Sequence, residues 1–147
     1  RPLVFTNGVF DLLHPGHVAY LEDARNLGAS LVVAVNTDAS VRRLDKGDER
    51  PLNSLADRMA VLAALASFDL VVAFDGDTPR DLIVASRPDV LVKGGDYTAA
   101  STAGAAEVIA AGGRFEAIPF AHSRSTTSHV ERIRARTTAS RDAPEHT

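Results

Sequence analysis

The sequence contains no cysteine, which removes disulfide scaffolds, thiolate zinc sites, iron–sulfur clusters and thiol catalysis from consideration. No apolar run approaches the roughly 20 residues of a membrane span. The N-terminus also lacks the charged-then-apolar layout of a signal peptide, so a cytoplasmic protein with no membrane role is expected. Basic residues are in the minority: 16 Lys plus Arg against 19 Asp plus Glu leave a net charge of -3. A nucleic-acid coat would carry a basic surplus, so no nucleic-acid partner is expected. Met59 is the only methionine, and the sequence is therefore expected to begin inside the natural chain. Two nucleotide signatures are missing as well. The loop after the first apolar run has no Gly-x-Gly-x-x-Gly, and Gly-x-x-x-x-Gly-Lys-Ser/Thr occurs nowhere.

What is present is the balance of a soluble globular domain. The 147 residues are 45% hydrophobic and 24% charged, and a chain this long buries roughly 68–70% of its unfolded surface without a covalent staple. Short runs of Val, Leu and Ala recur at Leu3–Thr6, Leu31–Val35, Leu70–Phe74, Val90–Lys93 and Phe115–Ile118. They are continuous rather than alternating, as in strands covered on both faces of a parallel sheet. Helical periods lie between them. Val18, Leu21 and Leu27 share a face before Gly28, a C-cap signal. Ser54-Leu-Ala-Asp57 reads as a capping box for a helix through Ala66. Thr78-Pro79-Arg-Asp81 opens another, with Pro79 at its first position and an end before Pro88. An Ala-rich helix spans Ala105–Ala111, and a last one runs from Thr126–Ser128 to about Arg136. Strand then helix, repeated, predicts a Rossmann-like α/β fold: a doubly wound parallel five-stranded sheet with helices on both faces. One domain over residues 1–136 and a polar tail over 137–147 are expected. Ligands of such sheets bind outside the carboxyl ends of the strands, so the loops after each strand are where chemistry is sought.

The first of those loops reads Thr6-Asn-Gly-Val-Phe-Asp-Leu-Leu-His-Pro-Gly-His17. Two histidines bracket Pro15-Gly16 where a helix should begin. A helix N-terminus presents unpaired N–H groups and partial positive charge, which suit a phosphate, and imidazoles add hydrogen-bond donors. The blander reading makes His14 a turn cap and His17 a packed residue. A metal pair is a third reading, although only Asp11 stands near as another ligand. Position after the first strand, and the Pro-Gly between the histidines, favour phosphate.

The segment Thr6–His17 resembles the His-x-Gly-His motif of the nucleotidylyltransferase superfamily, in its cytidylyltransferase-like branch. The similarity continues through Asn36-Thr-Asp38, Lys46-Gly-Asp48, Arg50-Pro51, Arg58, Lys93-Gly-Gly-Asp-Tyr97 and Ser125-Thr-Thr127, covering nearly all of Leu3 to Arg136. The combination is most similar to the heptose 1-phosphate adenylyltransferases of ADP-heptose synthesis, in some of which this domain lies behind a sugar kinase; the stand-alone form is expected here. The resemblance implies ATP and a sugar 1-phosphate as substrates, pyrophosphate as product, magnesium accompanying ATP, and a homodimer. The pathway it implies is lipopolysaccharide inner-core precursor synthesis. It assigns catalysis to His14, His17 and Lys46, and nucleotide contact to Thr6, Asn7, Gly8, Phe10, Asp11, Lys93, Gly94, Asp96, Ser125, Thr126 and Thr127. Substrate contact falls to Asp38, Arg43, Arg50 and Arg58.

Each assignment has a plainer counterpart. Asp38 is equally a helix cap, and the charge run from Arg42 to Arg50 equally a solvated loop; Lys46 is favoured because Gly47 lets its ammonium close over phosphates. Arg58 sits in the first turn of a helix, where a cation opposes the dipole, so pairing with Asp57 or Asp45 competes with a role at the active site or a subunit interface. Asp96 could close a tight turn. Ser125-Thr-Thr127 exceeds what capping needs and suits a triphosphate. Two other readings stay open: a cytidylyltransferase acting on glycerol 3-phosphate or a related alcohol phosphate, and a non-catalytic nucleotide-binding regulatory module.

Overall fold

The structure is a computed structural model that describes residues 2–44, 47, 49–120 and 126–141, with the side chains of 126, 127, 129 and 137–141 left out. The elements in chain order are β1 (Leu3–Gly8), α1 (Pro15–Arg25), β2 (Ser30–Asn36), α2 (Asp38–Arg43), α3 (Leu55–Ala63) and β3 (Leu70–Phe74). They continue with α4 (Arg80–Ser86), β4 (Val90–Gly94), α5 (Ala105–Ala110), β5 (Arg114–Ile118) and α6 (Thr126–Arg141). The strands form one sheet in the order β3-β2-β1-β4-β5, and every pairing is parallel. This is the doubly wound arrangement expected.

The continuous apolar runs are explained by two cores. Along each strand successive side chains point to opposite faces. Val4, Leu31, Val33, Val35, Val90 and Val92 meet Tyr20, Leu21 and Ala24 of α1 and Leu62 of α3 on one face. On the other, Phe5, Ala34, Phe74 and Leu91 meet Ile83 of α4 and Ala105 and Val108 of α5. A strand buried on both sides has no position to leave polar.

Element ends differ from the sequence reading in several places. α1 stops at Arg25 with Asn26 as C-cap, short of Leu27 and Gly28. The cap of α3 is Ser54, as expected, but the helix ends at Ala63 rather than Ala66. α4 starts at Arg80, with Pro79 as an N-cap that has no side-chain bond. Its last turn is closed by Arg87 at φ 47, because a residue before proline is barred from continuing the helix. α6 runs on to Arg141, past the expected boundary at residue 136.

The chain reverses direction across the sheet between β1 and β4, and the register shows the consequence. Those two strands pair only at Val4–Val90 and Phe5–Leu91. Beyond that point β1 follows β2 out to Gly8–Val35, while β4 follows β5 out to Gly94–Ile118. A crevice opens between their carboxyl ends, at the place where doubly wound folds hold ligands.

Candidate active site

The loop leaving β1 turns through Phe10, whose backbone adopts φ 50. The Phe10 ring is buried, and a Cβ on Gly8 would stand 2.9 Å from its Cε2, so glycine at position 8 is what allows the ring to fold back. Phe10 then presents its ring to His17 in an edge contact, with centroids 5.5 Å apart. It thereby packs against the His17 ring.

His14 and His17 form a reciprocal cap on α1. His14 Nδ1 accepts from the Gly16 N–H at 3.1 Å, and His17 Nδ1 accepts from the His14 N–H at 3.4 Å. The His17 N–H bonds to the His14 carbonyl at 2.9 Å, and Pro15 has no N–H to offer. The first turn therefore has no unpaired backbone donor, contrary to the helix-terminus reading of the sequence. The imidazoles take over that task. With Nδ1 occupied as an acceptor, each neutral ring carries its proton on Nε2, giving two N–H donors at the positive end of a helix. The cap role and the phosphate role are compatible because they use different nitrogens.

The rings stack with centroids 3.9 Å apart, too close for both to be cationic. Burial, and second the neighbouring His14 charge, lower the His17 pKa from 6.5 to about 4. His17 is thus a neutral donor at pH 7, and a bound phosphate would draw its pKa back up. The same shift gives stability a pH dependence. Between about 4 and 6.5 the unfolded chain holds a proton on this ring that the folded one does not, so the His17 contribution is full above 6.5 and drains away as pH falls toward 4. Urea midpoints at pH 7, 5.5 and 4.5 are expected to fall more for the wild type than for His17→Asn; parallel declines would contradict the shift.

Much of the charge assigned to ligand contact is paired within the protein, buried at Arg58 and Asp11 and exposed at Arg43. The Asp11 carboxylate accepts from the backbone N–H groups of Leu52 and Asn53, both at 2.9 Å. Arg50 Nε lies 2.7 Å from Asp11 Oδ2, a charge contact without the alignment of a hydrogen bond. The Arg58 side chain is fully buried; it donates to the carbonyls of Asn53 and Val9 at 3.1 and 2.8 Å and to Asp38 Oδ1 at 2.7 Å. Its carboxylate partner is Asp38 of α2 rather than Asp57, and Asp45 lies outside the described residues. Asp38 is therefore the anchor of Arg58, and Thr37 is the N-cap of α2. Arg43 pairs with Asp77, Nε to Oδ1 at 2.8 Å. Thr6 is wholly buried, its hydroxyl bonding Tyr20 and donating to the Val92 carbonyl at 3.1 Å across the gap between β1 and β4. In this structure Thr6, Phe10, Asp11, Asp38, Arg43, Arg50 and Arg58 all make contacts within the protein that fix the segments around the crevice.

Asn7, Gly8 and Lys93 line the crevice together, and the histidine pair adjoins it through Phe10, which packs beside Gly8 and against His17. Lys93 Nζ lies 5.2 Å from the Tyr97 ring centroid, and Asp96 is exposed beyond it. Gly94 lies under Phe120, whose Cζ would stand 2.5 Å from any Cβ there, and Phe120 in turn leans on Tyr20. A cleft of about 270 Å3 runs along the ends of β1, β2 and β4, with Asn7, Asn36, Phe74, Thr78, Lys93 and Thr102 among its walls. Asn36, Phe74, Thr78 and Thr102 were not assigned from the sequence; the available signal was their place at or just beyond strand ends or before a helix. Lys46 and Ser125 lie outside the described residues, as do the side chains of Thr126 and Thr127. Arg134 of α6 meets Glu49 at 2.5 Å, which brings the last helix alongside the loop that carries Gly47.

Comparison with known proteins agrees with this geometry. A family model described as cytidylyltransferase-like matches residues 5–138. The D-beta-D-heptose 1-phosphate adenylyltransferase of Bordetella bronchiseptica is 60% identical over 134 residues, which are 91% of this chain and 83% of that protein. The bifunctional protein HldE of Haemophilus ducreyi is 57% identical over 133 residues; the match takes in 90% of this chain and 28% of that protein. Among solved structures, a lipopolysaccharide core biosynthesis protein from Thermoplasma volcanium superposes with a TM-score of 0.67 at 25% identity, covering 83% of this chain and 98% of that one. A pantothenate synthetase from Thermus thermophilus shares the fold alone, with a TM-score of 0.58 at 17% identity over 81% of this chain and 56% of that one.

Proposed function

The chain belongs to the cytidylyltransferase-like family, and on that footing we propose that it is an adenylyltransferase joining ATP to D-glycero-β-D-manno-heptose 1-phosphate, with release of pyrophosphate. The observation that carries the reading is the 60% identity to a heptose 1-phosphate adenylyltransferase over 91% of the chain, with the histidine pair intact. The product, an ADP-heptose, serves lipopolysaccharide inner-core synthesis.

An oxygen of the sugar phosphate attacks the α-phosphorus of ATP; a P–O bond forms there as the bond to the β-phosphate breaks, and pyrophosphate departs. The attacking oxygen is already anionic, so no general base is required. Catalysis is positioning plus stabilisation of charge on oxygen. The Nε2–H groups of His14 and His17 grip phosphate oxygens next to the reacting phosphorus. Lys46 and the Ser125–Thr127 segment balance charge on the leaving pyrophosphate, and the nucleotide runs from α1 past Gly94 and Asp96. Among the described residues no group of three or more His, Asp or Glu is placed to cage a cation. We therefore put magnesium on the triphosphate oxygens and water, as its coordination chemistry favours. We further propose a cytoplasmic homodimer. Among the described residues no helix is long and apolar enough to cross a membrane, and the edge strand β3 leaves Leu70 exposed, as α3 leaves Val61, a surface suited to a second copy.

The test is pyrophosphate release over nucleotide and alcohol-phosphate pairs, with and without a chelator, on protein whose mass in solution is measured by sedimentation. ATP with the β-anomeric heptose 1-phosphate is expected to be fastest, to stop on chelation, and to be catalysed by a dimer. Faster turnover of CTP with glycerol 3-phosphate would overturn the substrate assignment while keeping the reaction class. Nucleotide binding without turnover of any pair would make the chain a regulatory module.

A further inference from the structure

The cleft beside β1 contains a polar atom that the protein leaves unsatisfied. Asn7 Oδ1 is buried and has no hydrogen-bond partner among the described residues. Buried acceptors are nearly always paired, and one left open marks a strain, a water or a ligand. Its surroundings are otherwise settled: Asn36 Nδ2 donates to Ser40 at 3.0 Å, and the Thr102 hydroxyl donates to the Thr98 carbonyl at 2.8 Å. Among the described residues of the cleft wall, Asn7 Oδ1 alone is buried without a donor.

Size and position indicate which substrate supplies it. At about 270 Å3 the cleft has room for a sugar-sized polar molecule. In-line transfer puts the attacking and departing oxygens on opposite sides of the phosphorus. The histidine pair caps α1, which packs on the Val4 and Val90 face of the sheet. The cleft is walled by the approaches to α4 and α5, at Thr78 and Ser101–Ala103, and these helices pack on the opposite Phe5 and Leu91 face. The end of β1 stands between them. A molecule in the cleft thus approaches phosphate held at the histidines from the side away from α1.

We propose that this cleft is the seat of the sugar ring of the acceptor, with Asn7 Oδ1 accepting a hydrogen bond from one of its hydroxyls. The inference rests on the nucleotidyl-transfer reading and moves Asn7 from the nucleotide to the sugar phosphate. The acceptor carries hydroxyls on every carbon except C1, which bears the phosphate, and C5, which bears the ring oxygen, and so offers more donors than the adenine amino group and ribose hydroxyls of the nucleotide.

The experiment compares wild type, Asn7→Leu and Ala103→Leu. The first removes the acceptor at similar volume, and the second narrows the cleft from the α5 side without touching Asn7. Steady-state assays give KM for heptose 1-phosphate, and calorimetry with α,β-methylene-ATP gives nucleotide affinity independently of turnover. Both variants are expected to raise the sugar-phosphate KM by roughly tenfold or more, Asn7→Leu by one lost hydrogen bond and Ala103→Leu by steric crowding, with nucleotide affinity changed less than about twofold. Weaker nucleotide binding, or no change in either quantity, would overturn the assignment. Should Asn7→Leu fail to fold, Ala103→Leu decides by the same two readouts. A wild type that releases no pyrophosphate from this pair would refute the reading of function itself, which the variant comparison does not.

Discussion

His17→Asn is expected to fold with a melting temperature near that of the wild type at pH 7, yet to lose roughly 100- to 1,000-fold in single-turnover rate, the scale of one lost donor to a developing oxyanion. The asparagine amide occupies about the place of the imidazole Nδ1, so its oxygen can accept the His14 N–H that Nδ1 accepts now. What it cannot do is reach the position of Nε2. The substitution therefore separates the cap from the donor on one ring. His17→Gln makes the converse change, placing an amide N–H near the Nε2 position, and is expected to recover part of the rate. The neutral state of His17 at pH 7 sharpens this comparison, since a neutral amide replaces a neutral donor and no charge is lost. His14→Asn should behave alike, and the double variant should lose less than the product of the single losses if both rings grip one transition state. Nucleotide dissociation constants measured on the same preparations complete the test. A His17→Asn protein with full single-turnover rate would show that the ring serves only to cap α1 and pack against Phe10.

How much of this was legible in the sequence depended on whether a residue acts within its own segment. The inner strands were readable because they are covered on both faces, so Leu31–Val35 could not be confused with an amphipathic element. The cap at Ser54 was readable because a cap lies within three residues of what it satisfies; the reciprocal cap made by His17 was not, because histidine is an uncommon capping residue. The distribution of charge was not. Arg58 is joined to Asp38, 20 positions away, and to the Val9 carbonyl, 49 away; Asp11 holds backbone N–H groups 41 and 42 positions on. Nothing local distinguishes an arginine that binds a ligand from one that pins a loop, and both are expected near an active site. Resemblance does not resolve this either, because a family keeps its struts as firmly as its ligand contacts. The crevice was expected at strand ends, but its opening depends on where β1 and β4 stop pairing, which only the register reveals.

Arg58→Met is the substitution that distinguishes strut from ligand contact. The side chain is fully buried and joins three separate pieces of chain: the loop after β1, the segment before α3, and the start of α2. Methionine fills similar space but leaves two carbonyls and the Asp38 carboxylate without their donors. Breaking a buried charge pair from one side costs about 3–5 kcal/mol, a large part of the roughly 5–15 kcal/mol that holds a domain together. At about 2–4 °C per kcal/mol for a chain of this length, the melting temperature is expected to fall by roughly 10 °C or more. Arg58→Lys keeps a cation but loses the planar fork that serves three acceptors at once, and should fall between the two. The loss of activity in Arg58→Met should then follow the folded fraction, with KM for the remaining folded enzyme little changed at low temperature. A direct ligand role predicts the reverse, namely a normal melt with a raised KM. Because Arg58 holds the Val9 carbonyl one residue before Phe10, and Phe10 supports His17, some loss of kcat in the folded protein is also expected; restoring it by lowering the temperature would identify loosened support of the histidines as its cause.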